Sequence, residues 1–169
     1  MPRYLYRRAT AADFPAILTL NAESVRYLSP LDTARLTWLD SLAASHQVAV
    51  SRDDGTIAAF LLALRAGTAY DSPNYRWFAA RYPRFTYVDR IVVAASARRD
   101  GLAGRLYDEL IELAVAAGDP LLACEIDDEP PNPASQRFHA RYGFREVGQQ
   151  WLNGGTKRVS LQIRLLDGA

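Results

Sequence analysis

The segment Arg98-Arg99-Asp100-Gly101-Leu102-Ala103-Gly104 has the composition of an anion-binding turn. It lies between an aromatic and β-branched run, Phe85 to Ala94, and the long periodic stretch from Gly101 to Ala117. The first turn of a helix has backbone N–H groups without helical partners, and the helix dipole favours negative charge there. Gly101, Ala103 and Gly104 leave little side chain to keep a pyrophosphate from the backbone, and Arg98, Arg99 and Arg105 add positive charge. The alternative is a plain glycine-containing turn, because a short glycine motif is weak evidence by itself. Two carboxylates also stand out. Asp89 lies inside the apolar run Tyr87 to Ile91, and Glu125 inside Leu122 to Ile126. A carboxylate on a buried strand is costly unless it is paired or used.

The elements that must position these groups are legible from periodicity. Leu5 to Arg8 reads as a strand, and Thr10 with Asp13 as a capping-box start of a helix carrying Phe14, Ile17, Leu18 and Val25 on one side. Ser29-Pro30 ends that helix, and a second runs from about Asp32 to Ala44 with Leu36, Leu39, Leu42 and Ala43 on its apolar stripe. Gln47 to Ser51 and Ile57 to Leu64 form a hairpin across Asp53-Asp54-Gly55. Arg65 to Pro83 is irregular, with Ser72-Pro73 able to open a short helix. Gly101 to Ala117 is a helix with the stripe Leu102, Leu106, Leu110 and Leu113, closed by Gly118. Leu121 to Asp127 is a buried strand. Asn132-Pro133 caps a helix that Gly143 ends, and Phe144 to Trp151 pairs with Lys157 to Leu165 across Asn153-Gly154-Gly155. The order implies a mixed α/β sheet with a parallel strand–helix–strand centre.

Composition bounds the rest. The 169 residues fit one domain, 1–169, and 49% of them are apolar, enough for a core. A net charge of +1 makes no electrostatic case for nucleic acid or an anionic membrane. One cysteine, Cys124, leaves no disulfide framework, and His46 and His139 lack zinc-site spacing, so no metal is expected. No signal-peptide core or membrane-length apolar run is seen, so a cytoplasmic protein is expected, as a monomer or homodimer.

Arg98-x-x-Gly101-x-Ala103 after a strand resembles the Q/R-x-x-G-x-G/A signature of the GNAT acetyltransferase superfamily. The run Asn132 to Phe144 is similar to that family's second motif, an asparagine followed by a helix ending in glycine-phenylalanine. The order of elements agrees across nearly the whole chain. The resemblance implies the acyl-CoA N-acyltransferase fold with a splayed central strand pair, and acetyl-CoA as acyl donor. It implies that the backbone of Ile91, Val92 and Val93 pairs with the pantetheine arm. It implies further that amides from Arg99 to Gly104, through Asp100, Leu102 and Ala103, hold the pyrophosphate. Asn132 would bond the pantetheine, and the helix bearing Ser135 and Phe138 would line the thiol end.

One family position differs. The tyrosine expected to protonate the leaving thiolate is replaced by His139, while Tyr142 sits where the family often has leucine. His139 is either a substitute acid or a packing residue. The implied reaction is direct attack by a primary amine in a ternary complex, with Asp89 or Glu125 as the base or amine-binding group. Each carboxylate is alternatively a structural partner of a nearby cation. The acidic run Asp127-Asp128-Glu129 is either a sign of a cationic acceptor or a solvated loop. The aromatics between Tyr70 and Tyr82 read as a patch of core or as an acceptor wall, with Tyr27 and Leu28 further candidates for the latter. Two rival classes stand beside the enzyme: a non-catalytic acyl-CoA sensor, and a dinucleotide-binding module, which the absence of a full G-x-G-x-x-G disfavours.

Overall fold

The computed structural model describes residues 1–167. The described residues form seven strands and five α-helices, in the order β1 (Tyr4–Arg8), α1 (Phe14–Glu23), α2 (Thr33–Leu42), β2 (Ser45–Ser51), β3 (Ile57–Arg65), α3 (Pro73–Ala79), β4 (Thr86–Val93), α4 (Leu102–Ala116), β5 (Leu121–Glu129), α5 (Pro133–Arg141), β6 (Arg145–Leu152) and β7 (Lys157–Leu165). The sheet order is β1-β2-β3-β4-β5-β7-β6. Strand β4 runs parallel to β5, and the other registered ladders are antiparallel. The expected mixed α/β sheet with a parallel centre is therefore present. Register between β4 and β5 covers Thr86↔Leu122 and Tyr87↔Ala123 and ends there, upstream of Val93.

Contacts divide the chain into two compact units, Met1–Leu64 with Val88–Leu110, and Arg65–Tyr87 with Ile111–Ala169. In the first unit, Thr10 donates its N–H to the Asp13 carboxylate at 2.8 Å, the predicted cap. Arg7 grips the same carboxylate through two bonds of 2.7 and 2.8 Å and holds its pKa down to about 2. Phe14, Ile17, Leu20 and Asn21 are the buried face of α1. Val25, assigned to that face from the sequence, lies beyond the helix end and is 48% exposed. Strand β3 is apolar and buried through its middle, as a strand covered on both faces should be.

In the second unit, Gly118 (φ 78) turns the chain from α4 into β5, and the buried Asp119 follows. Its carboxylate accepts from Arg65 Nε at 3.1 Å and from Thr86 Oγ1 at 2.7 Å, fixing the end of β3 and the start of β4 to this turn. The apolar stripe of α4 continues as Leu102, Leu106, Leu110 and then Ala114, all buried. Leu113, read from the sequence as the fourth member, is 38% exposed, and the neighbouring Ala114 is buried in its stead.

Helix α3 confirms the Ser72-Pro73 signal: Ser72 Oγ accepts from the Tyr75 N–H at 3.3 Å. Tyr70, Tyr75 and Phe78 are buried against Phe85 and Tyr87, which is the core reading of that aromatic stretch. Trp77 closes directly over Gly148 of β6: a Cβ built there would lie 2.4 Å from the indole. Gly148→Ala must push the ring or bend the strand, and we expect a loss of about 1–3 kcal/mol, measured by chemical denaturation.

Candidate active site

Strand β4 delivers the chain into the segment singled out from the sequence. Val92 is buried, Ile91 and Val93 are half-buried, and Arg98, Arg99 and Arg105 are exposed. Two residues of the turn have left-handed backbone, Arg99 (φ 75) and Gly101 (φ 77). Such a conformation is uncommon for a residue with a side chain and clusters where backbone geometry is functional. The Gly101 carbonyl accepts from the Arg105 N–H at 3.1 Å, opening the first turn of α4. A Cβ at Gly101 would meet nothing within 4 Å, so open space lies over this backbone.

Asp100 is the one acidic residue of the turn, and its carboxylate is held by Tyr4 Oη at 2.6 Å and Arg3 Nη1 at 3.1 Å. Its backbone N–H donates to the Ala97 carbonyl at 3.3 Å. Beside the turn, Ala16, Thr19, Leu20 and Glu23 of α1 and residues 94–96 line an open pocket of about 540 Å³.

The carboxylates of the two strands have different surroundings. Asp89 accepts from Arg90 Nε at 3.0 Å, and both side chains are about 95% buried, at 5% and 4% exposure. This is the structural pairing foreseen as its alternative. Glu125 is half-buried and accepts from the fully buried Tyr87 hydroxyl at 2.5 Å. Tyr87 was not seen as a site residue. The signal was its distance of two residues from Asp89 on the same strand, but only the β4–β5 register brings its hydroxyl to Glu125.

Helix α5 begins as expected, with Asn132 Oδ1 accepting from the Ser135 N–H at 3.3 Å. Phe138 is half-buried and stacks on Tyr142 with centroids 5.3 Å apart. His139 is buried between Phe138 and Phe144, each ring 5.2 Å away. Its Nδ1 lies 2.8 Å from the Ser135 carbonyl, which can only accept, so Nδ1 carries the proton of the neutral ring. Burial lowers its pKa from 6.5, opposed by the Ser135 bond. A neutral ring with its proton on Nδ1 has an unprotonated Nε2.

His46 is also buried. Burial lowers its pKa, opposed by Asp40, whose carboxylate lies 2.7 Å from Nδ1. Both folded-state values lie below the unfolded value of 6.5, so below that pH the unfolded chain binds more protons than the folded one. The stability contributed by the two neutral rings is complete above the unfolded pKa and is lost as pH falls through the window below it. The melting temperature should therefore drop between about pH 7 and about pH 5, and drop less in His139→Phe.

The acidic run is partly neutralised internally, two cations of β7 meeting its three carboxylates. Lys157 pairs with Asp127 at 3.0 Å, and Arg158 with Asp128 at 2.7 Å and Glu129 at 3.6 Å. Cys124 is buried and its thiol pKa is pushed well up by burial, which fits a core residue and not a nucleophile. Among the described residues no helix is long and apolar enough to cross a membrane.

Comparison with known proteins identifies the family. The profile of the Acetyltransferase (GNAT) family matches residues 13–144, and the chain belongs to that family. Membership makes it an acyl-CoA-dependent acetyltransferase with acetyl-CoA as its acyl donor. Among solved structures it is similar to Ard1 from Thermoplasma volcanium, at 14% identity and a TM-score of 0.77 over 98% of this chain and 99% of that one. It is likewise similar to NAA60 of Arabidopsis thaliana in complex with a bisubstrate analogue, at 17% identity and a TM-score of 0.77 over 98% and 99%. A third is yncA from Salmonella typhimurium with its cofactor acetyl-CoA, at 20% identity and a TM-score of 0.72 over 99% and 96%. No curated protein matches the chain significantly. The residues present fit the donor: the left-handed pair Arg99 and Gly101 opens a helix of 15 residues, with open space over Gly101 and exposed arginines around it.

Proposed function

We propose that the protein is an N-acetyltransferase acting on the primary amine of a small or peptidic acceptor by direct attack in a ternary complex. When bound, acetyl-CoA supplies the acetyl group as a thioester. The backbone from Arg99 to Gly104, with Arg98 and Arg105, holds its pyrophosphate. The strand edge Ile91, Val92 and Val93 takes the pantetheine arm, with Asn132, Ser135 and Phe138 toward the thiol end. Glu125 is the base, receiving the proton that the amine nitrogen loses as its bond to carbon forms. Tyr87 orients that carboxylate. The backbone N–H of Val93 faces the charge developing on the carbonyl oxygen. The leaving thiolate, with a thiol pKa near 8.5, needs no strong acid, so His139 serves to pack α5. Asp89 is a partner of Arg90. We place the reaction in a single catalytic domain in the cytoplasm, acting as a monomer or homodimer.

The observation that carries this reading is the left-handed Arg99 and Gly101 at the N-terminus of α4, which present backbone donors to an anion. The test is release of CoA thiol from acetyl-CoA against free amino acids, N-terminal peptides and polyamines. Amine-dependent release supports it. Tight acetyl-CoA binding with no release against the whole panel would instead favour the non-catalytic sensor, the reading to which the family tyrosine's replacement by His139 points.

A further inference from the structure

The Asp89–Arg90 pair does more than neutralise two buried charges. The Arg90 guanidinium is 4% exposed and reaches three groups beyond its own strand. Nη1 donates to the Ser29 carbonyl at 2.6 Å and to Asn21 Oδ1 at 3.1 Å, and Nη2 donates to Ser29 Oγ at 2.9 Å. Asn21 is itself 1% exposed and returns a bond from Nδ2 to the Ser29 carbonyl at 3.3 Å. One buried cation therefore ties β4 to α1 and to the segment that follows α1.

Those two elements carry the walls of the open pocket. Asn21 is flanked on α1 by the lining residues Leu20 and Glu23, and the turn 94–96 that forms the other wall continues from β4. Glu23 is the charged residue of that lining, so the pocket suits an amine better than a phosphate. The arginines of the neighbouring turn have the opposite preference. Movement of α1 relative to β4 would reshape this pocket while leaving residues 98–104 in place.

We propose that Arg90 is a positioning residue for the acceptor: through Asn21 and Ser29 it fixes the α1 wall of the pocket in which the amine substrate is bound. This rests on the transferase reading above. Geometry makes the arginine specific. A lysine ammonium is a single point, whereas the guanidinium fork meets Asp89, Asn21 and both Ser29 groups in one plane of donors. Asp89 is then the counter-ion that makes burial of the fork tolerable.

The experiment combines steady-state kinetics, acetyl-CoA titration and hydrogen exchange on the full chain, using the amine of highest turnover from the panel above. Arg90→Lys should raise KM for that amine by about tenfold, with kcat and the acetyl-CoA Kd each within about twofold of wild type. Amide exchange over residues 21–30 should quicken by about tenfold. Ser29→Ala, which removes one acceptor and leaves the ion pair, should move KM and exchange in the same direction by about threefold, and it serves if Arg90→Lys does not fold. Acetyl-CoA affinity falling in step with amine KM, or kcat falling with KM unchanged, overturns the proposal. So does wild-type exchange over 21–30 in both variants. A wild-type chain that acetylates none of the amines refutes the transferase reading, whereas wild-type turnover with unaltered variants refutes only the positioning role.

Discussion

Glu125→Gln is expected to lower kcat by about 10²–10³-fold while leaving the acetyl-CoA Kd nearly unchanged. The substitution keeps the size of the side chain and keeps an oxygen to accept the Tyr87 hydroxyl, now 2.5 Å from the carboxylate. What is lost is the ability to take a proton. An attacking alkyl amine is mostly protonated near neutrality, so removing its acceptor raises the barrier of the step in which the C–N bond forms. The rate of Glu125→Gln should recover at high pH, where the free amine is abundant, and kcat over a pH series reads this. Tyr87→Phe leaves the carboxylate but frees its orientation, and a loss of about tenfold is expected. Asp89→Asn is the contrast. Its carboxylate is 5% exposed and bound to Arg90, so the variant should lose about 3–5 kcal/mol of stability by leaving a buried cation underpaired. Normal kcat in Glu125→Gln together with a collapsed kcat in a folded Asp89→Asn would reverse the assignment.

Gly101→Val should weaken acetyl-CoA binding by about 10–100-fold in calorimetric titration. The space is there: nothing lies within 4 Å of a Cβ at this position. The obstacle is the backbone. At φ 77 a β-branched residue is strained by about 1–3 kcal/mol, and rotation of the peptide to relieve that strain would turn away the N–H proposed to hold the phosphate. Gly154→Val is the matched control, since Gly154 also has a left-handed backbone (φ 65) with nothing within 4 Å. Both variants should lose comparable stability, and only Gly101→Val should lose the donor. Equal loss of binding in both would mean that strain, and not the geometry of the turn, is being read.

The sequence by itself determined the elements and the glycine turn that opens α4. Both depend on short-range rules. Helix and strand periodicity, the Asp13 and Asn132 caps, and glycines closing helices are decided within a few residues, and all of them are present in the structure. The turn from Arg98 to Gly104 was legible for the same reason: glycine placement encodes backbone conformation locally. The exceptions are local too. Leu113 and Val25 were misplaced because a stripe of apolar residues does not state where a helix ends or which of two adjacent leucine-scale positions faces inward.

Only the tertiary structure decided what the charged side chains do. Asp89 and Glu125 look equivalent in the sequence, each a carboxylate inside an apolar strand. The fold gives one of them Arg90 and the other the Tyr87 hydroxyl, partners set by packing and by the β4–β5 register. The acidic run is answered by Lys157 and Arg158 on β7, some thirty residues away. For His139, either acid or packing residue by the sequence, the fold supplies burial and the Ser135 carbonyl at 2.8 Å from Nδ1. Arg90 is legible in the sequence only as an alternative partner of Asp89, because its other partners Asn21 and Ser29 lie far off in the chain and no spacing rule connects them. A charge takes its role from whichever groups surround it after folding, and that surrounding is the part of the protein that a linear pattern does not carry.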